Sequence, residues 1–290
     1  MLYKIKHTTT YKYEESVPLC HNLAILIPRD FEAQNCQSFD LEIVPNPEIK
    51  DNYPDFFGNT VYYFVIEEAH ESLVVTSTSI VDVFPMAWKK KPLSLQNWEA
   101  VANFMKDVKG EYIDIKQYAY PTQITAISES IKAYAEKSFT PNRPIYKAVN
   151  ELNTRIHTDF KYTTGFTTVS TPLSVVMDEK KGVCQDFAHL AISCLLSMGL
   201  AARYVSGYLE TTAPAGKKKL VGADATHAWF SVYVPEMGWI DFDPTNNKVA
   251  DEQYITIGWG RNYYDVVPLR GIIMSGHNHK LSVAVEVTRL

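Results

Sequence analysis

Among four cysteines and eight histidines, one cysteine stands where its thiol could be made reactive. Cys184 precedes a run in which Phe187, Leu190, Ala191, Cys194, Leu195 and Met198 recur at helical spacing, and Gly199 follows. The spacing predicts an amphipathic helix with Cys184 at its N-terminal end and Gly199 as its stop. Unpaired N–H groups at a helix start favour a thiolate over a thiol, and the thiolate is the nucleophilic form. The same groups can face a developing oxyanion, often the largest electrostatic contribution in acyl transfer. Gly182, two residues earlier, would let the chain turn sharply and bring backbone close to a bound substrate.

A thiol nucleophile needs a base within reach and a group that orients the base. His227 enters the β-rich run Thr226 to Val234 just after Gly222-Ala223-Asp224-Ala225. Pro235-Glu236-Met237-Gly238 reads as the turn into Trp239-Ile240-Asp241-Phe242-Asp243, so a carboxylate can be carried back beside the imidazole. Which carboxylate depends on register. An odd loop, such as the three-residue type with a bulge, sets Asp243 opposite position 229 and diagonal to His227, about 7 Å between side-chain roots. Asp241 would then share that face one pair further along, about 13 Å from His227 at strand rise. An even loop would turn both away from the histidine. Asp243 is the preferred partner. Trp229 and Trp239 lie close enough in sequence to line an acyl site, although strand tryptophans also serve as packing.

The elements that must position these residues fall into two regions. Tyr3, Ile5, His7, Thr9, Tyr11 and Tyr13 share one parity, Phe39, Leu41 and Ile43 alternate with acids, and Gly58-Asn59 reads as a hairpin turn before Thr60 to Ile66. With Leu73 to Val83 these short strands predict an antiparallel β-sandwich over residues 1–88. Residues 89–148 read as a helical connection packing on the core. One helix is capped by Ser94 and carries Trp98, Val101, Ala102 and Met105; a second runs from about Ala126 to Lys137. A third helix, with Pro144 in its first turn, carries Ile145, Val149, Leu152 and Ile156. Residues 149–290 read as the catalytic core, closed by C-terminal strands that include Leu281, Val283, Val285 and Val287. The fold class is therefore α+β.

Composition narrows the function classes. With 46% hydrophobic and 21% charged residues over 290 positions, the chain has globular composition and length enough for two cores. A net charge of −5 leaves no global positive field, so nucleic acid is not an expected partner. Lys89 to Lys91 and Lys217 to Lys219 are short runs expected on solvated loops. No run of about 18 apolar residues and no signal-like N-terminus is present, so no membrane association is expected and the expected location is cytoplasmic. Four scattered cysteines fit thiols in a reducing compartment.

Other candidates carry blander readings. Cys194 lies in the apolar helix stripe, and Cys20 and Cys36 have no evident partner, so all three read as structural. A metal set would have to gather Cys20, His21, His277 and His279, whose spacing is not that of a ligand framework; no metal is expected. His189 is five residues past Cys184 and reads as a surface or satisfied core histidine, and His7 as part of the sandwich core or rim. The stretch Thr211 to Val221 has loop composition and could border the substrate cleft.

Three segments taken together resemble a known family. Gly182-Val183-Cys184-Gln185-Asp186-Phe187-Ala188, Thr226-His227-Ala228-Trp229 and Gly238-Trp239-Ile240-Asp241-Phe242-Asp243-Pro244-Thr245 are similar, in order, to the catalytic motifs of the bacterial transglutaminase-like superfamily. Tyr3 to Tyr13 resembles the start of the β-domain that precedes the core in many members, and Gly260 to Gly271 their C-terminal signature. The resemblance implies a papain-like core over roughly residues 145–255, with the thiol on Cys184, the base on His227 and the orienting carboxylate on Asp243. It implies acyl transfer from a peptide or protein amide without a cofactor. Water as acceptor makes a cysteine peptidase or amidase, which is the preferred reading. An amine acceptor makes a transglutaminase, and a folded but idle scaffold that binds a partner is the reading outside enzymology.

Overall fold

The computed structural model describes residues 1–90, 96–210, 226–274 and 278–290. The N-terminal region holds β1 (Leu2–Val17), β2 (Cys20–Ala24), β3 (Gln34–Val44), β4 (Ile49–Pro54), β5 (Thr60–Ile66) and β6 (His70–Val83). The middle is helical, with α1 (Trp98–Lys106), α2 (Ile113–Lys116), α3 (Glu129–Glu136) and α4 (Ile145–Asp159). Then come β7 (Lys161–Tyr162), α5 (Leu173–Glu179), β8 (Lys181–Gly182) and α6 (Cys184–Ser197). The strands β9 (Ala202–Leu209), β10 (Thr226–Val234), β11 (Gly238–Asp243), β12 (Lys248–Val249) and β13 (Tyr254–Gly260) follow, and β14 (Leu269–Ile273) and β15 (His279–Arg289) end the chain.

Two four-stranded sheets, ordered β15-β1-β6-β3 and β14-β2-β5-β4, form the sandwich; a five-stranded sheet ordered β12-β11-β10-β9-β13 belongs to the core. The expected antiparallel N-terminal domain and α+β core are both present. The boundary differs from the expected one. β14 and β15, assigned above to the core, pair with β2 and β1, so that Tyr3 faces Arg289 and Leu269 faces Ala24. Alternation identifies a strand but not its neighbour, and β1 and β2 each offered an unpaired edge that the returning chain covers.

Helix starts also shifted by a few residues. Ser94 lies outside the described residues; α1 is capped by Asn97, whose side chain accepts from the N–H of Ala100 at 2.9 Å. α3 begins later than expected because Ser128 caps it, accepting from the N–H of Ile131 at 3.3 Å. The short α5, ended by Lys180 in the left-handed conformation, has too few residues for its periodicity to be read from sequence.

α6 is buried along almost its whole length and contributes Phe187, Leu190, Ala191 and Cys194 to the hydrophobic core that also holds Ala228, Phe230 and Phe242 of the core sheet. Sandwich and core share a second hydrophobic cluster, in which Tyr3, Ile5 and Val285 meet Tyr208, Ile255 and Ile257. Polar bonds index the junction. Gln34 donates to the carbonyl of Thr256 at 2.7 Å and accepts from the Thr256 N–H at 2.8 Å, which fixes β13 against β3. His7 is buried at the same junction, with Nδ1 2.7 Å from the Tyr208 hydroxyl, and burial pushes its pKa down to about 4. A neutral imidazole satisfied at both nitrogens is what a core position requires.

Candidate active site

Cys184 is the first residue of α6 and remains partly exposed. The helix start is organised by Asp186, in its first turn. The Asp186 carboxylate accepts from the N–H of Val183 at 2.8 Å and from the Thr167 hydroxyl at 2.6 Å, which ties the segment before α5 to the turn carrying the thiol. Burial pushes the Asp186 carboxyl up, against the lowering effect of those two bonds. Sequence reasoning passed over Asp186, although an acidic residue three positions after a helix N-cap is the available signal.

Gly182 sits in β8, paired with Tyr162 in a short parallel bridge. A Cβ placed on it would lie 2.9 Å from both Cβ and Oδ2 of Asp186 and 3.2 Å from the Phe187 ring. The glycine is thus required by the close approach of α6's own first turn, not by a sharp turn. Its expected role beside substrate gains no geometric support.

His227 and Asp243 are joined through Nε2 and Oδ2 at 2.8 Å. The connection between β10 and β11 has three residues, because Val234 pairs with Gly238, and Glu236 and Gly238 adopt positive φ. Phe230 faces Phe242, so the next pair along places Asp243 beside Trp229 and diagonal to His227, as the odd-loop alternative requires. Asp243 is fully buried and surrounded by donors. Oδ1 accepts from the N–H groups of Thr245 at 2.8 Å and Asn246 at 3.2 Å. Oδ2 accepts from His227, from Asn246 Nδ2 at 2.6 Å and from the Tyr254 hydroxyl at 2.9 Å.

These contacts set the charges. Burial raises the Asp243 carboxyl, but the bonds from His227, Asn246 and Tyr254 outweigh it and hold the group below its ordinary value. Burial likewise disfavours the His227 imidazolium, yet Asp243 and the hydrogen-bonded Cys184 hold its pKa up at about 10. With Nε2 committed to Asp243, Nδ1 is the nitrogen left for the thiol. A thiol hydrogen-bonded to a histidine that a buried carboxylate orients is an arrangement that suits a cysteine nucleophile.

Trp229 and Trp239 do not line this site. Trp229 is 0% exposed; its Nε1 donates to Asp241 Oδ2 at 2.9 Å, and its ring lies 6.1 Å from that of His227 between centroids. The indole also needs Gly207 beneath it, since a Cβ there would come within 2.6 Å of the ring. Trp229 therefore supports His227 from inside. Trp239 is four residues before Asp243, about 13 Å along the strand. It packs on Tyr118 at 5.2 Å and under the Arg203 guanidinium at 4.4 Å, in a separate structural cluster. Proximity in sequence suggested both as site walls, but a strand carries same-face residues steadily away from one another.

His189 is the satisfied core histidine, 1% exposed, with Nε2 accepting from the Tyr263 N–H at 3.1 Å and burial pushing its pKa down to about 3. Cys194 is buried within α6, and all four cysteines are free thiols. Cys20 is buried, His21 bonds the Tyr63 hydroxyl at the surface, and His277 lies outside the described residues. Among the described residues no three His, Cys, Asp or Glu side chains converge on a metal position. The stretch Thr211 to Val221, read above as bordering the cleft, also lies outside the described residues. None of the described helices is long and apolar enough to cross a membrane.

Comparison with known proteins bears on the family and the fold. Residues 3–82 match the bacterial transglutaminase-like N-terminal region, and residues 132–244, which contain Cys184, His227 and Asp243, match the transglutaminase-like superfamily. An uncharacterized protein of Mycobacterium tuberculosis is 42% identical over 296 residues, covering 98% of this chain and 92% of its own length. One from Mycobacterium leprae is 33% identical over 287 residues, covering 99% and 98%. A protein-glutamine gamma-glutamyltransferase of Pseudomonas aeruginosa is 37% identical over 79 residues, 27% of this chain and 12% of that protein. A crystal structure from Cytophaga hutchinsonii, of a protein proposed to be a cysteine protease, superimposes with a TM-score of 0.78 at 22% identity, covering 99% of this chain and 90% of that one. The chain therefore belongs to the transglutaminase-like superfamily and carries the bacterial transglutaminase-like N-terminal region ahead of its core.

Proposed function

We propose that the chain is a cysteine-dependent amidase or peptidase that works through a thioester on Cys184. The observation that carries this reading is the hydrogen-bonded row from Cys184 through His227 to Asp243, at a helix start that remains open to solvent. In the first half-reaction the Cys184 sulfur, its proton carried by His227, attacks the amide carbonyl carbon. The C–N bond then breaks, the His227 proton goes to the departing amine, and Cys184 keeps the acyl group. Water, deprotonated by His227, next attacks the thioester carbonyl; the C–S bond breaks and a carboxylic acid leaves. Asp243 holds the ring in the orientation that points Nδ1 at sulfur and stabilises the imidazolium in both halves.

Hydrolysis is favoured over transamidation because water needs no second binding site. The same three residues would serve an amine acceptor, and the name of the P. aeruginosa relative supports that alternative.

The test is the pH dependence of iodoacetamide alkylation at Cys184 in the wild type and in His227→Ala. Reactivity that persists below neutrality and disappears in the variant supports the proposal, and peptides with and without added amines then separate the two acceptors. A single titration near 8.5 in both proteins, the ordinary thiol value of about 8.5, would instead favour a binding role for an idle scaffold.

A further inference from the structure

We propose that Asn246 is a positioning residue for the reaction at Cys184, whose side-chain amide caps the solvent side of the Asp243 carboxylate and keeps water off the His227–Asp243 bond. The proposal rests on the acyl-transfer reading and adds a working residue to it. Asn246 is exposed, whereas Asp243 is fully buried and the His227 side chain is 11% exposed. Asn246 Nδ2 lies 2.6 Å from Asp243 Oδ2 and 3.5 Å from His227 Nε2, so the amide sits over the two atoms that hold the base in place.

The carboxylate decides which end of the amide faces it. An ionised carboxylate offers only acceptors, so Asn246 must present its N–H and turn its carbonyl oxygen away. His227 and Tyr254 reach Oδ2 from β10 and β13, and Asn246 reaches it from the loop between β11 and β12. Without that amide the open position would admit water, which can donate to the carboxylate but also competes for the imidazole N–H. A hydrogen bond kept from water is the stronger one, because the local dielectric is lower.

The loop is held so that Asn246 stays there. Its own N–H and that of Thr245 donate to Asp243 Oδ1, at 3.2 Å and 2.8 Å. Asn247 takes a positive φ of 52°, and its Oδ1 lies 2.9 Å from the Thr154 hydroxyl and 3.4 Å from Asn153 Nδ2, both on α4. His157, also on α4, donates from Nδ1 to the Thr245 carbonyl at 2.9 Å. α4 is fixed in the core through Val149, Leu152 and Ile156, so a packed helix anchors the loop on both sides of Asn246. The titratable groups around this amide are Asp243 and His227 in contact, and Tyr254 on the same carboxylate oxygen. Lys248 pairs with Asp243 across β11 and β12, and His157 lies against the loop backbone.

The experiment compares the wild type with Asn246→Ala and Asn246→Asp in the hydrolysis of p-nitrophenyl acetate between about pH 5 and pH 8, with the Cys184→Ala rate subtracted as background and thermal unfolding recorded for each protein. Asn246→Ala should lower kcat by about tenfold at every pH with KM little changed, because a hydrogen bond to a charged group is lost. Its unfolding midpoint should stay within about 4 °C of the wild type. Asn246→Asp sets a second carboxyl against Oδ2, where two carboxylates cannot both ionise freely. Its rate relative to the wild type should be lowest near pH 8 and rise by about tenfold toward pH 5, where the pair shares one proton and the introduced carboxyl donates as the amide did. An Asn246→Ala rate within about twofold of the wild type, a pH-independent ratio for Asn246→Asp, or a loss of rate that follows loss of the fold overturns the role of Asn246 and leaves acyl transfer standing. A wild type inert to this activated ester overturns both.

Discussion

Tyr254 donates its phenolic hydrogen to the same Asp243 oxygen that receives His227, at 2.9 Å against 2.8 Å. The tyrosine begins β13, while Asp243 ends β11, two strands that are not neighbours in the core sheet. Its hydroxyl helps keep the carboxylate ionised and fixed in the plane that serves the imidazole. Replacing it by Phe keeps the ring packed on Trp229 and removes only the donor. Because a hydrogen bond to a charged group is worth about 1.5–3 kcal/mol, kcat should fall by roughly ten- to a hundredfold with little change in KM. Steady-state kinetics on one amide substrate would read this split; a change confined to KM would place Tyr254 outside the positioning chain.

Asp243→Asn should be more damaging. All five contacts donate to the carboxylate, and an amide nitrogen in place of Oδ2 would set donor against donor or force His227 into the tautomer that accepts at Nε2. The His227 ring would lose its orienting partner as well, and the expected drop in kcat is on the order of 10⁴-fold. Near-normal turnover in this variant would show that His227 is oriented by other means.

Stability should carry the signature of the pair. The His227 value of about 10 stands above the ordinary 6.5, so its contribution is fully present below about pH 6.5 and is lost as pH rises toward 10. Asp243 is held below 3.8, so its contribution is present above that value and is lost as pH falls through its lowered value. Urea unfolding at pH 5.5, 7.5 and 9.5 should show the wild type losing its advantage over His227→Gln as pH rises. An advantage that does not change across this range would contradict the raised imidazolium.

Gly182→Ala tests the packing behind the thiol. The added methyl would fall 2.9 Å from Asp186, so either β8 or the first turn of α6 must move. A loss of about 1–3 kcal/mol is expected from overpacking, together with slower alkylation of Cys184 as the helix start is displaced. Chemical denaturation and the alkylation rate, measured on the same protein, would show whether the two effects travel together.

Local pattern carried much of this protein. The 3.6-residue recurrence from Phe187 to Met198 placed Cys184 at a helix start, because helical periodicity is written in the nearest dozen residues. Alternation identified β1 as a strand and β-rich composition β10 and β11, and the three ordered segments pointed to a thiol, a base and a carboxylate. The pairing of His227 with Asp243 was left between two registers. A three-residue connection with Glu236 and Gly238 in left-handed conformations decided it, a choice of backbone dihedrals that the turn composition allowed but did not compel. Tertiary structure alone made the other assignments. It buried Trp229 under the histidine, carried Trp239 into a cluster with Arg203, brought Tyr254 and Asn246 onto the carboxylate, and returned β14 and β15 to the sandwich. Each of these depends on which strand lies beside which, and that is settled by contacts between residues far apart in the chain, which no local period records.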